Sequence, residues 1–185
     1  LRLEVLDSEV LERVHLATLE VLEKGGVHVD EEDVLKYLEK LGLHVDRGVV
    51  KIPQHAVDEA LKRAPREVRL SSRGKGGDLV LRARGSKVYS HTTGGCIWIY
   101  DYGRKGTRAA TLEDVKAVSK LVDHLDNVHS LSTLVHPQDV PLRLREPLAV
   151  KYMLKYTGKH LMPDLSSVEA LEVVIRIMDI ALDGD

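Results

Sequence analysis

Residues 128–141 read VHSLSTLVHPQDVP. The first eight, 128–135, mix β-branched and apolar residues with short hydroxyl side chains, and predict a strand. They empty directly into the polar hexapeptide HPQDVP at 136–141. A strand that ends in a loop of His, Gln and Asp is where α/β enzymes place chemistry. Pro137 and Pro141 fix φ and remove two backbone donors, so His136, Gln138 and Asp139 ride on stiff backbone.

The flanks extend this pattern. Thr111, with Asp114 as a weak capping-box partner, predicts a helix with Leu112, Val115, Val118, Leu121, Val122 and Leu125 on one face. Downstream, a helix is predicted over about 145–156, with Pro147 tolerated in its first turn. A short strand over 160–162 follows. The last helix is predicted to be capped by Ser166 in a capping box with Glu169, burying Leu171, Val174, Ile175, Met178 and Leu182. Strand and helix alternating from residue 128 onward predict right-handed βαβ units around a parallel sheet, with two parallel strands visible. A closed eight-stranded barrel needs about 250 residues, so a chain of 185 holds only its opening units. The start at Leu1 rather than Met, and the stop at Asp185 where a third strand falls due, predict a fragment.

Upstream, three helices are predicted. The first has one buried face of Val10, Leu11, Val14, Ala17, Thr18, Val21 and Leu22, with Asp7 or Ser8 as N-cap and Gly25 and Gly26 as its stop. The second, 31–41, is capped by Asp30, with Val34, Leu35, Leu38 and Leu41 inward. An extended piece at 49–52 leads to a third, which takes Pro53 as its first residue and ends before Pro65. Short β segments are then predicted at 68–71, 79–82, 87–91 and 96–100, separated by Gly-containing turns. The fold class is therefore α/β: a helical cap (1–66), a β-rich insert (67–110), and the first βα units of a barrel-like domain (111–185).

Composition narrows the function classes. A formal charge of −2, from 27 basic and 29 acidic residues, gives no net pull toward nucleic acid or anionic membrane. No apolar run approaches the roughly 18 residues of a membrane span. Cys96 is the one cysteine, which excludes an internal disulfide or multi-cysteine zinc site and suits a reducing cytoplasm.

The order of several motifs carries a resemblance. The opening helix followed by GGVHVD (25–30), VKIPQHAVDEALKRAP (50–65), TTGG (92–95), ATLEDV (110–115) and HPQDVP together resemble the trimethylamine methyltransferase family. The likeness runs the length of this chain and matches the N-terminal portion of the family. It implies a (β/α)8 TIM barrel preceded by helices, and transfer of a methyl group from a tertiary or quaternary amine, trimethylamine or a betaine, to cobalt. The cobalt belongs to a corrinoid (cobalamin) carried by a partner protein. An amine leaves only when already cationic, so the enzyme's contribution is positioning and electrostatics. The position of the pyrrolysine found in trimethylamine-specific members falls beyond Asp185.

Under that resemblance, Asp139 is the first candidate for balancing a quaternary ammonium, which cannot donate hydrogen bonds; helix capping or turn formation is the competing reading. Gln138 and His136 are candidates for a substrate carboxylate or the corrinoid edge, against a histidine satisfied by backbone. Gly94 and Gly95 permit close approach of backbone to ligand, or mark a turn. Tyr89 joins Trp98, Tyr100 and Tyr102 as a possible cation-binding aromatic set, against ordinary cross-strand packing. His91 completes the set of candidates, and with His136 and Asp139 could form a metal site only by folding together.

The basic run Lys62, Arg63, Arg66, Arg69, Arg73, Lys75, Arg82, Arg84 and Lys87 reads as a solvated hairpin face or a dock for an acidic corrinoid protein. The 73–77 segment reads as a turn. A non-catalytic binding domain and a metal-dependent hydrolase are the alternative functions. Unpaired parallel strand edges predict a homo-oligomer.

Overall fold

The computed structural model describes residues 5–74, 77–83, 85 and 87–182, arranged as two compact units, Leu1–Pro65 and Arg66–Asp185. Among the described residues no helix is long and apolar enough to cross a membrane.

In the first unit, α1 (Ser8–Glu20) starts where the Asp7 carboxylate accepts from the Val10 N–H at 2.8 Å, and passes into a π-helical turn, Val21–Gly25. Three strands, β1 (Val27–His28), β2 (His44–Asp46) and β3 (Val49–Lys51), form an antiparallel sheet in the order β1-β3-β2 around buried Val50. Arg47 and Gly48 both have positive φ (47° and 79°), which gives the two-residue turn between β2 and β3 the twist of its strands. Gly26, at φ 78°, lies against β3: a Cβ there would sit 2.7 Å from the Val50 carbonyl oxygen. The Lys51 ammonium donates to the carbonyls of Lys24 and Gly25, closing the end of the π turn.

Helix details in this unit differ from expectation. Of the first helix only Leu19 is buried, while Leu11, Val14 and Val21 are exposed, so its apolar stripe does not pack. Helix α2 (Glu32–Lys40) has Glu31, not Asp30, as N-cap residue, and no side chain bonds there. Val34 and Leu41 are exposed. Pro53 is the N-cap of α3 (Gln54–Arg63) rather than its first residue, because its ψ of 156° is extended.

The second unit opens with the antiparallel pair β4 (Glu67–Leu70) and β5 (Leu79–Arg82). A second hairpin pairs β6 (Trp98–Asp101) with β7 (Gly106–Ala109). Helix α4 (Leu112–His124) follows, then β8 (Ser130–Ser132), a 3-10 turn (Leu142–Leu144), α5 (Arg145–Tyr156), β9 (His160–Met162) and α6 (Val168–Ala181). Strands β8 and β9 run parallel, with Leu131 opposite Leu161. Residues 90–96 form a third parallel track on the other side of β8. His91 bridges Ser130 and Cys96 bridges Val135, joined by Thr92 N–H to Ser130 O (3.3 Å) and Cys96 N–H to Leu134 O (2.9 Å).

That track replaces the strand expected at 87–91. The strand expected at 96–100 begins instead at Trp98, and its partner β7 went unrecognised. The run 128–135 is regular only over Ser130–Ser132, because the Leu134 N–H turns back to the Ser132 carbonyl at 2.7 Å.

The core joins α4, the sheet and α5 through Ala110, Val115, Val122, Leu131, Val135, Ala149 and Met153; Val150, Leu154 and Val174 form a second cluster between α5 and α6. On α4, Leu121 and Leu125 are exposed, so its buried line is Val115, Ser119 and Val122. Helix α6 packs through Ala170 and Val174; of the predicted face Val174 is buried as expected, while Leu171, Ile175, Met178 and Leu182 are exposed, which corrects the rest. Its cap is also one residue later than expected. The Ser167 hydroxyl accepts from the Ala170 N–H at 3.1 Å, while the Ser166 N–H donates to Glu146.

Candidate functional site at the ends of the parallel strands

The three parallel tracks end on one edge, and their final residues are knitted together. The Cys96 carbonyl accepts from the His136 N–H at 2.9 Å, and the Thr133 hydroxyl accepts from the Asp164 N–H at 3.1 Å. Carboxyl ends of parallel strands are where such sheets bind ligands.

The 136–141 loop is fixed by two sutures to the start of α4. The Gln138 N–H donates to the Ala110 carbonyl at 2.7 Å, and Asp139 Oδ1 accepts from the Leu112 N–H at 3.0 Å. Pro137 is fully buried beneath the loop. The Gln138 side-chain amide nitrogen donates to the His136 carbonyl at 2.8 Å, which leaves its oxygen as an acceptor.

Beside this loop lies an open cleft of about 780 Å³. His136 and Gln138 line it with Pro141, Arg143, Arg145 and Glu146, and α6 contributes its N-terminal turn. Ile97, Leu142, Leu144 and Val173 make its apolar wall. Arg143, Arg145, Glu146 and the Ser166–Glu169 turn were not singled out from sequence; two arginines alternating with leucines after Pro141 were the available signal.

Five expected residues therefore share one neighbourhood, His136 and Gln138 among them. Gly95 touches the His136 ring, with a Cβ there 3.6 Å from it, and Gly94 adopts φ 142° against Leu134, where a Cβ would meet the side chain at 3.0 Å. Asp139 belongs to the same loop, and its charge sits at the positive end of α4.

Tyr89 and His91 lie at the opposite end of the strands. The Tyr89 ring packs edge-on against His129 at 5.1 Å, with the Lys87 ammonium 4.9 Å above it. His91 pairs with Ser130 at the start of β8. His129 precedes β8 and His136 follows Val135 at its far end, so the two groups stand at opposite ends of the strand. Trp98, Tyr100 and Tyr102 lie along the β6 hairpin at 62%, 55% and 88% exposure, too open to enclose a cation; Tyr100 and Tyr102 meet edge to face at 5.2 Å.

Among the described residues no group of three or more His, Cys, Asp or Glu side chains is placed to hold a metal ion, so His91, His136 and Asp139 do not converge. The basic hairpin is largely spent internally. Arg69 pairs with Asp78 at 3.6 Å, Arg82 with Glu67 at 2.8 Å, and Arg73 donates to the carbonyls of Leu154 and Thr157. Lys75, Gly76 and Arg84 lie outside the described residues.

The start of α4 is braced electrostatically. Asp114 accepts from the Thr111 N–H and hydroxyl at 2.8 Å each, closing a full capping box, and takes a bidentate pair from Arg108 at 2.7 Å in both contacts. The guanidinium, aided by Thr111, holds the Asp114 carboxyl far below the usual carboxylate range. Arg108 also donates to Asp101 at 3.2 Å, tying the β6–β7 hairpin to the same point.

The family described as trimethylamine methyltransferase (MTTB) matches residues 1–185. The chain is 28% identical over 180 residues to the trimethylamine methyltransferase MttB of Desulfitobacterium hafniense, covering 96% of this chain and 36% of that protein. It is 26% identical over 181 residues to a glycine betaine methyltransferase of the same species, covering 97% of this chain and 37% of that one. The Methanosarcina thermophila trimethylamine methyltransferase MttB is 32% identical over 143 residues, covering 75% of this chain and 29% of that protein. The chain thus spans about a third of the length of the curated relatives it matches.

Proposed function

We propose that this chain, which belongs to the trimethylamine methyltransferase family, serves transfer of a methyl group from a tertiary or quaternary amine to the cobalt of a corrinoid carried by a separate protein. The observation that carries the reading is the family match over residues 1–185, together with a stiff polar loop at the carboxyl ends of parallel strands. The arrangement supports a (β/α)8 barrel in which residues 90–96, β8 and β9 are neighbouring parallel strands.

In the reaction, the C–N bond breaks with its electron pair passing to nitrogen. Reduced cobalt supplies the pair for the new bond to carbon and is itself oxidised by two electrons. The amine leaves neutral, so a substrate that begins as a cation needs no acid at that step. Asp139 and the loop dipoles stabilise the cation while it is bound, and Gln138 and His136 orient it. The open side of the cleft admits the corrinoid protein.

The test is to mix the protein with a reduced corrinoid protein and a panel of methylated amines, following the cobalt absorption bands. Methylation of cobalt with at least one tertiary or quaternary amine is expected. Silence across the panel overturns the reading.

A further inference from the structure

Arg108 lies outside the cleft, yet the backbone beside it carries both the polar loop and part of the apolar wall. Ala110, two residues on, is fully buried. Its N–H donates to the Ile97 carbonyl at 2.9 Å, and its carbonyl accepts from the Gln138 N–H at 2.7 Å. Ile97 and Gln138 both line the cleft, so Ala110 is the rung between them. Leu112, which donates to Asp139, is the next rung. Where the 108–112 backbone sits, these three residues follow.

One guanidinium holds that backbone through four contacts. Its Nη1 and Nη2 donate to the two Asp114 oxygens at 2.7 Å each, Nε donates to Asp101 Oδ2 at 3.2 Å, and Nη1 also donates to the Ala109 carbonyl at 3.1 Å. Asp101 is a fixed point in turn. Its other oxygen accepts from the Gly103 and Arg104 N–H groups at 3.0 and 3.2 Å, which closes the turn of the β6–β7 hairpin.

Helix capping alone does not require this arrangement. Asp114 closes the capping box with the Thr111 N–H and hydroxyl, and neither bond involves the guanidinium. What Arg108 adds is a fixed separation between the hairpin turn and the helix cap, spanning the residues that bond to the cleft backbone. A planar fork with donors at set angles holds such a separation, whereas the single ammonium of a lysine does not.

We propose that Arg108 is a positioning residue for the cleft: by locking Asp114 to Asp101 it sets where Ile97, Gln138 and Asp139 stand. Its kinetic consequence rests on the methyl-transfer reading above, while its structural consequence is independent of that reading. In a site that works by positioning, a displacement of about 1 Å costs up to about 100-fold in rate.

Arg108→Met, Arg108→Lys and Lys159→Met test this, the last as a control at the opposite end of α4, where Lys159 bonds to Val122, Leu125 and Val128. In Arg108→Met the Ala110 and Gln138 N–H groups are expected to exchange about tenfold faster or more, while Leu131 in the core keeps its protection. Arg108→Lys should fall between, and should carry the comparison if Arg108→Met does not fold. In Lys159→Met the two amides should hold their protection relative to Leu131. Cobalt methylation by trimethylamine or glycine betaine, followed in the same proteins, should show kcat/KM lower by about tenfold or more in Arg108→Met and unchanged in Lys159→Met. Combined with Asp139→Ala, the Arg108→Met loss should be less than additive, because the suture that links Leu112 to the loop is already cut.

Ala110 and Gln138 exchange that rises alike in Arg108→Met and Lys159→Met, or that only follows Leu131, overturns the proposal and leaves Arg108 an ordinary stabilising residue. Faster exchange with unchanged kcat/KM, or additive losses in the cycle, also overturns it. No cobalt methylation by the unsubstituted protein overturns the methyl-transfer reading instead, and the exchange pattern then decides by itself whether Arg108 places the cleft residues.

Discussion

Asp139 Oδ1 accepts the backbone N–H of Leu112 at 3.0 Å, so one carboxylate both pins the 136–141 loop and satisfies the first turn of α4. The observed capping and the proposed charge balance thereby fall on one side chain, and substitutions separate them. Asp139→Asn keeps an acceptor oxygen and should leave thermal stability within about 0.5 kcal/mol, whereas Asp139→Ala should cost about 1 kcal/mol. In methyl transfer the order differs: both variants lose the negative charge, and kcat/KM for a cationic amine should fall roughly tenfold or more in each. Denaturant melts beside steady-state kinetics decide it. An Asn variant of full activity would confine Asp139 to capping.

Asp114 governs the acid limb of stability. Its carboxyl is depressed in the folded state chiefly by Arg108, so its stabilisation is present in full above the unfolded value near 3.8 and is lost as pH falls below it toward the depressed folded value. Asp114→Asn should lower stability by about 1–2 kcal/mol near neutral pH and flatten the decline of Tm between about pH 4 and pH 2. Melting curves across that range check it; an unchanged acid slope would place the acid sensitivity elsewhere, with Asp123 next, since the Thr157 hydroxyl and Gly158 N–H depress it in the same direction.

Lys159 closes the far end of α4. Its ammonium donates to the carbonyls of Val122, Leu125 and Val128, each at 2.6 Å, gathering the last turn of the helix and the lead-in to β8. Lys159→Met keeps most of the stem and removes the donors, so about 2–3 kcal/mol of stability should be lost. Lys159→Arg should recover only part, because a planar fork cannot reach three carbonyls around one point. Chemical denaturation of the three proteins gives the ranking.

The local devices were legible in sequence where cause and effect lie close together. Thr111 and Asp114 are three residues apart, and the 160–162 strand sits between two clear helical patterns. The parallel track at 90–96 was not legible, because its ladder passes through Ser90, Thr92 and the Gly94–Gly95 pair, with no apolar alternation. Helix α6 is apolar on more than one face, so periodicity did not choose Ala170 and Val174 over Leu171 and Ile175. Asp139 caps a helix 27 residues upstream, and the two arginines enter the cleft only when α5 and α6 are side by side; neither relation is local.

Gly158 and Gly74 meet backbone to backbone, and the contact is asymmetric. The Gly158 carbonyl accepts from the N–H groups of Arg73 and Gly74 at 2.7 Å each, while its own N–H donates to Asp123 at 3.0 Å. A Cβ on Gly158 would stand 2.6 Å from Gly74 Cα and 2.8 Å from its nitrogen; a Cβ on Gly74 would stand 3.2 Å from Gly158. Gly158→Ala therefore forces the β4–β5 loop off the end of α5 and should cost about 2–3 kcal/mol, while Gly74→Ala should cost about 1 kcal/mol. The Tm losses should follow at roughly 4 °C per kcal/mol. Amide exchange localises the effect: Arg73 and Gly74 should lose protection in Gly158→Ala while Leu131, in the buried core, keeps it. Equal losses in the two variants would mean the loop yields at both glycines alike, and the close approach would then not be what holds it.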